Sequence, residues 1–564
     1  MIRSITAVLT AGVSVVAPAS PVHAETREYA LPAGNLKVPV APNPADRPLT
    51  TALHNAVLPQ QPSSPAQVPF HLEEATIADV HRAIISHQIT CRQLVELYLR
   101  RIKAYDHDHG LNAIQAVNPH AIENADRLDQ KFAATGGLTG PLHCIPVAVK
   151  DQIETRDMPT TYGSAAFRNF VPKRDATVVA RLREAGAIIL AKNTMGEFGN
   201  SYLSSMAGII RNAYDPTRTA SGSSGGTGVA VTANLAMVGI GADVGGSIRG
   251  PAAFGSLVGL RPTVALVSHY GVMPAMPTRD TVGPITRTVA DAAAVLDVIA
   301  GYDPDDAGTA PAFGHHEASY NEFLIKDGLR GARIGIVIKP MNTRADPSSD
   351  DYKKVRTVID RAIADMKSMG AEIVDSPLPE LKDVAPENDF ETEEAMNSYL
   401  AEQPNAPFKT LREILLSGKV LPQQAKGLLD SVGRTTHDPG YLELLLMQNE
   451  MREHVLKLMA DNKLDALLYA TSDHQPTKIP ADVLTNPNAK DDYNRGSNRR
   501  LSPFLGFPAI TVPAGFTTDG LPVGIEFMGR PYSEGLLLKL AYAYEQATHR
   551  RRVPPSAPAL VREP

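Results

Sequence analysis

Apolar positions along the chain change period several times. Ile77, Val80 and Ile84 recur at helical spacing, and ordered structure is expected to begin near Thr76. Thr90 and Gln93 have the spacing of a capping box, opening a helix that carries Leu94, Val95, Tyr98, Leu99 and Ile102. Residues 145–149 form a short apolar, β-branched run instead, read as a buried strand that delivers Lys150 at its end. Asp175 is placed as the cap of a helix through Val178, Val179 and Leu182, which Gly186 stops before a strand over 187–191. Residues 229–235 are expected to be helical and 236–241 extended.

A strand–helix–strand unit follows over 333–337, 350–369 and 371–374, and residues 379–460 read mainly as helix. Residues 464–470 and 509–512 are strand candidates. Ser533 opens a last helix with Leu536, Leu537, Leu540 and Tyr544 on its apolar side. This alternation predicts an α/β fold with a largely parallel or mixed sheet and loops at the strand ends. Residues 25–70 are rich in proline, alanine and polar side chains without a period, as in an extended N-terminal arm. No repeat and no linker divides the chain beyond residue 76, so residues 71–564 are expected to form one large domain.

The N-terminus adds a compartment. Arg3, an apolar core over 5–16 and Val22-His23-Ala24 make a secretory signal, cleaved after Ala24, for export to the periplasm or beyond. No other segment approaches eighteen continuous apolar residues, so no membrane anchor is expected after cleavage. A net charge of −6 argues against nucleic acid or an anionic membrane as partner. Export would permit one disulfide between the two cysteines, Cys91 and Cys144, although separate buried thiols are the plainer expectation. Neither cysteine nor histidine shows metal-ligand spacing, and no metal is predicted.

The candidate chemistry lies in three short segments: Lys150-Asp151, Gly222-Ser223-Ser224-Gly225-Gly226, and Gly245-Gly246-Ser247. Amide cleavage needs a nucleophile, a base for its proton, an acid for the leaving nitrogen and donors for the oxyanion. Ser247 follows two glycines, whose missing side chains let backbone N–H groups approach a carbonyl. Lys150 can act as a base only if burial or a neighbouring cation depresses its pKa, and its place after an apolar strand favours burial. Asp243 and Arg249 are read as braces of the loop between them.

These segments together resemble the amidase signature family of serine hydrolases. The similarity is densest from Gly140 to Asp291 and includes residues 141–151, 222–226, 241–249 and 259–263, with Gly506-Phe507-Pro508 further on. The resemblance implies a mixed sheet sandwiched by helices, no cofactor, and hydrolysis of a small-molecule amide through an acyl-serine. It implies Ser247 as nucleophile, Ser223 as a bridging serine that follows a cis peptide bond, and Lys150 as base. Oxyanion donors would come from Val244, Gly245, Gly246 and Ser247, with Ser224 supporting the relay. Cys144 and Ser221 stand where the family usually has glycine, Thr227 replaces a serine and Ala242 a threonine.

Other readings use the same residues. Gly222-x-Ser224-x-Gly226 matches a nucleophile elbow, giving an esterase based on Ser224 with His437, His474 or His549. An inactive exported binding protein on a hydrolase fold is another, and the amidase-like component of a tRNA-dependent amidotransferase is a third.

Overall fold

The runs that read as continuous apolar strands join one large sheet. The structure is a computed structural model describing residues 69–107, 110–376, 378 and 389–561. The expected signal peptide and the arm up to residue 68 lie outside the described residues. In chain order the strands are β1 (Ile114–Val117), β2 (Pro146–Lys150), β3 (Ile188–Asn193), β4 (Leu203–Ser204), β5 (Gly208–Ile209), β6 (Val238–Ala242) and β7 (Val258–Arg261). They continue as β8 (Val282–Thr286), β9 (Arg333–Ile336), β10 (Glu372–Asp375), β11 (Ala466–Ala470), β12 (Ala509–Phe516) and β13 (Pro522–Met528). All but the β4–β5 hairpin join in the order β1-β3-β2-β6-β8-β7-β12-β13-β11-β9-β10.

The sheet is mixed. β2 lies between β3 and β6 and runs parallel to both, so the carboxyl ends of these three strands open on the same edge. The middle, from β6 to β11, is antiparallel. Every residue of β2, β3 and β6 is buried, which explains their unbroken apolar character. Helices flank the sheet. The helix Glu534–Thr548 packs on β12 and meets Val289–Ile299 and Asp350–Ser368, while Gly225–Thr232 and Arg249–Phe254 pack on each other and on the central strands. Among the described residues no helix is long and apolar enough to cross a membrane.

Several local expectations are corrected. Asp175 does not cap Thr177–Glu184; its carboxylate accepts the Arg156 N–H at 3.0 Å and pairs with Arg183. The helix expected from residue 229 begins at Gly225, directly after the serine loop. Cys91 and Cys144 are not separate thiols but a disulfide, with Cα atoms 5.2 Å apart, within the usual range. Cys91 opens the helix Cys91–Ile102 and Cys144 ends the turn before β2, so the link fastens that helix to the strand bearing Lys150.

Candidate active site

Two strand ends and one helix start converge at the site. β2 ends in Lys150 and β6 ends in Ala242, followed by the Asp243–Ser247 loop. Between them in sequence, the Ser221–Ser224 loop leads into the helix Gly225–Thr232. Because β2 and β6 are adjacent and parallel, Lys150 meets both loops. Its Nζ donates to Ser223 Oγ at 2.8 Å and to the Ala242 carbonyl at 3.2 Å. The Gly222–Ser223 peptide bond is cis. Gly222 is required by close approach: a Cβ there would lie 1.6 Å from the Ser201 carbonyl oxygen.

Lys150 is 1% exposed. Burial pushes its ammonium down to about 7, against the opposing pull of the Asp243 and Asp280 carboxylates. Asp243 is also buried. Burial alone would raise its carboxyl, but the Arg249 and Arg261 guanidiniums outweigh this and hold it below the ordinary carboxylate range. Asp243 is the brace the sequence suggested. It accepts the Gly246 N–H at 2.7 Å, the Ile248 N–H at 3.1 Å and Arg249 Nε at 3.1 Å. The Gly246 amide is therefore committed, whereas no hydrogen bond engages the amides of Val244, Gly245 or Ser247 among the described residues.

Arg499 joins the two serine loops, a role that sequence reasoning missed. Its Nη1 donates to Ser221 Oγ at 2.8 Å and reaches the Gly246 carbonyl at 3.4 Å, while its own carbonyl accepts Arg249 Nη2 at 2.7 Å. Gly246 has φ of 110°, and a Cβ there would lie 2.4 Å from Arg499 Cβ. Ser221 and Cys144 also have left-handed backbone, φ 64° and 66°, which accounts for glycine being usual at both. Here each side chain gains a bond instead, to Arg499 and to Cys91.

The site opens on a cavity of about 500 Å³ lined by Ser223, Val244, Gly245 and Ser247 together with polar groups such as Asn200 and Tyr493. Behind it lies a chamber of about 20 Å³ that Lys150 and Ser223 enter. The helices Thr392–Ala401 and Pro422–Leu429 form a cap over both, contributing Thr392, Met396, Gln424 and Leu428. Tyr399 Oη and Gln403 Nε2 each donate to the buried Glu154 at 2.6 Å, and Gln424 Nε2 donates to Ser201 Oγ at 2.8 Å. These bonds pin the cap to the loops after β2 and β3. The segments around Tyr162 and from Met195 to Tyr202 line the site, with Tyr162, Met195 and Phe198 bordering the small chamber.

Ser224 faces inward. Its Oγ bonds the Ala242 carbonyl at 3.2 Å and accepts the Ala242 N–H at 3.3 Å. None of the three candidate histidines bonds it: His474 Nδ1 lies 2.6 Å from Asp351 and its Nε2 accepts the Asp346 N–H. The nucleophile-elbow arrangement is absent among the described residues. Cys91, His143 and Cys144 are close enough to surround an ion, but both sulfurs are tied in the disulfide.

The fold is a mixed sheet flanked by helices, in which a buried lysine bonds one loop serine and that serine shares a cavity with Ser247. The chain belongs to the amidase family, whose model matches residues 93–538. It is 34% identical over 515 residues to a probable amidase of Arabidopsis thaliana, covering 86% of this chain and 92% of that one. The native peptide amidase of Stenotrophomonas maltophilia superposes with a TM-score of 0.75 at 33% identity, covering 86% of this chain and 99% of that one. An amidase family protein of Bacillus anthracis superposes equally well, with a TM-score of 0.75 at 29% identity, covering 86% and 92%.

Proposed function

We propose that this amidase is exported and cleaves carboxylic amides through an acyl-serine on Ser247, with Ser223 as proton relay and Lys150 as base. The observation that carries this reading is the buried Lys150 Nζ, 2.8 Å from Ser223 Oγ, where burial pushes the ammonium down toward neutrality. A neutral Lys150 accepts the Ser223 proton as Ser223 takes that of Ser247, whose Oγ attacks the amide carbon. The N–H groups of Val244, Gly245 and Ser247 receive the oxyanion. Gly246 serves by fixing the loop, since its N–H is held by Asp243. As the C–N bond breaks, Ser223 gives its proton to the leaving nitrogen and regains one from the Lys150 ammonium, which is neutral again. Water then releases the acid by the reverse path. Esters and carbamates fit the same machinery, because nucleophile and oxyanion donors serve all three.

A fluorophosphonate probe followed by peptide mass spectrometry tests the assignment. An adduct on Ser247 is expected; one on Ser224 would overturn it. Ser223→Ala should slow amides more than activated esters, since only a poor leaving amine needs the proton. Export is supported by the Cys91–Cys144 disulfide, a bond that persists in oxidising compartments. Sequencing the N-terminus of protein recovered outside the cytoplasm should give Glu25; an intact Met1 would refute cleavage.

A further inference from the structure

Two peptide groups of the loop after β6 share one arrangement. The Asp243 carbonyl accepts Arg261 Nη1 at 2.5 Å and the Thr281 N–H at 3.2 Å, and the N–H at the other end of that peptide belongs to Val244. The Gly246 carbonyl accepts the Gly250 N–H at 2.8 Å and Arg499 Nη1 at 3.4 Å, and the N–H at its other end belongs to Ser247. Neither the Val244 nor the Ser247 N–H enters a hydrogen bond among the described residues, and both residues border the large cavity. Both peptide bonds are trans, so each N–H points away from the carbonyl that its arginine holds.

The two guanidiniums are buried, Arg261 at 0% and Arg499 at 2% exposure, but only one is neutralised. Arg261 pairs with Asp243. Arg499 forms no ion pair among the described residues: its remaining bonds go to Ser221 Oγ, Ser497 Oγ and Asn494 Oδ1, all uncharged. Burying a cation without a carboxylate is costly, and a neutral donor could tie the same loops together. The cost is offset where negative charge develops nearby. A cation on the Gly246 carbonyl polarises the whole peptide unit and strengthens the Ser247 N–H as a donor.

We propose that Arg499 is a positioning residue for the oxyanion, fixing the Gly246–Ser247 peptide by its carbonyl end and lending its charge to the Ser247 N–H. It touches no reacting atom itself. The inference rests on the acyl-serine reading of Ser247 but can fail separately from it.

Hexyl trifluoromethyl ketone, labelled with carbon-13 at its carbonyl, tests it. Ser247 Oγ bonds the carbonyl carbon, the serine proton passes through Ser223 to Lys150, and the carbonyl oxygen becomes the oxyanion of a hemiketal. The chemical shift of that carbon follows protonation of the oxyanion. Arg499→Gln should raise the pH of half-ionisation by about one unit, about a tenfold loss of oxyanion stability. Arg499→Lys keeps the charge and should shift it by less than half as much. Lys150, Asp243, Asp280, Arg249, Arg261 and Glu526 are common to every variant, so the difference reads Arg499 alone. An unmoved midpoint in Arg499→Gln, or equal shifts in both variants, would overturn the proposal. Arg499→Met serves the same comparison where the glutamine variant does not fold.

Kinetics read the same effect independently. For hexanamide, Arg499→Gln should lower kcat about tenfold and leave KM within about twofold, because the ground-state carbonyl carries little charge. Unchanged kcat per folded molecule would mean a structural role only and refute the proposal. So would a loss confined to succinamate, whose acyl group is an anion, since Arg499 would then be binding substrate charge. Wild-type protein that forms neither the hemiketal nor a fluorophosphonate adduct on Ser247 refutes the serine mechanism itself. A labelled Ser247 with an unmoved midpoint refutes only the role of Arg499.

Discussion

Lys150 and Lys192 lie on adjacent parallel strands, β2 and β3, and both are fully buried. Burial lowers both, to about 7 and about 8. Their surroundings differ. Lys192 Nζ donates to the Ile153 carbonyl at 2.5 Å and to Thr160 Oγ1 at 2.8 Å, with the Asp151 carboxylate 3.9 Å away. Asp151 in turn accepts the Thr161 and Gly163 N–H groups, so this lysine belongs to the scaffold of a loop. Lys150 forms no ion pair among the described residues and reaches a serine that borders the cavity. A depressed pKa therefore does not identify a base. A hydrogen-bonded path to the reacting atoms does.

Replacing each lysine is the strongest way to break this comparison. Lys150→Ala should lower amide kcat by a factor of about 100 to 10,000, the range for losing a general base, and stopped-flow acylation should show the same loss. Full activity would remove the relay. Lys192→Met should act on folding instead, costing about 3 kcal/mol by leaving Asp151 buried without its cation, while kcat per folded molecule stays close to wild type. Urea unfolding combined with active-site titration separates the two effects.

Charge around Lys150 sharpens the contrast more gently. Only the neutral amine accepts a proton, so amide kcat/KM should rise with pH to a half-maximum at about 7 and then level off. The Asp280 carboxylate favours the ammonium, so Asp280→Asn should lower the Lys150 pKa further and move this acid limb to lower pH. A limb that stays in place would show that Asp280 does not act on Lys150. The smallest catalytic effect is expected from Cys91→Ala with Cys144→Gly, where glycine accepts the left-handed backbone. That pair should lose about 2–4 kcal/mol of stability with kcat preserved, measured by unfolding in parallel with activity.

The lysine and serines were legible because each sits in a short segment whose chemistry is local: a strand end, a glycine loop, a helix start. Whole elements were less so. β7 and β8 read Val-Gly-Leu-Arg and Val-Gly-Pro-Ile-Thr, too short and too rich in glycine and proline for any strand period to stand out. β1 and β13 were missed as well. Asp175 looked like a cap because of its position, but a distant backbone N–H and Arg183 compete for its carboxylate. Asp280 and Arg499 carry no sequence signal of their own. Their meaning arises only when the loop ending at Asp280 and the segment around Arg499 fold back on the strand ends.

The cap is one continuous piece of chain. Its helices, Thr392–Ala401 and Pro422–Leu429, lie in the chain between β10 and β11, near the sheet edge remote from β1 and β3. A single stretch of gene therefore encodes much of the cavity roof, apart from the segments that encode Lys150, Ser223 and Ser247. Substitutions confined to that stretch reshape the part of the cavity it lines without touching the lysine or either serine.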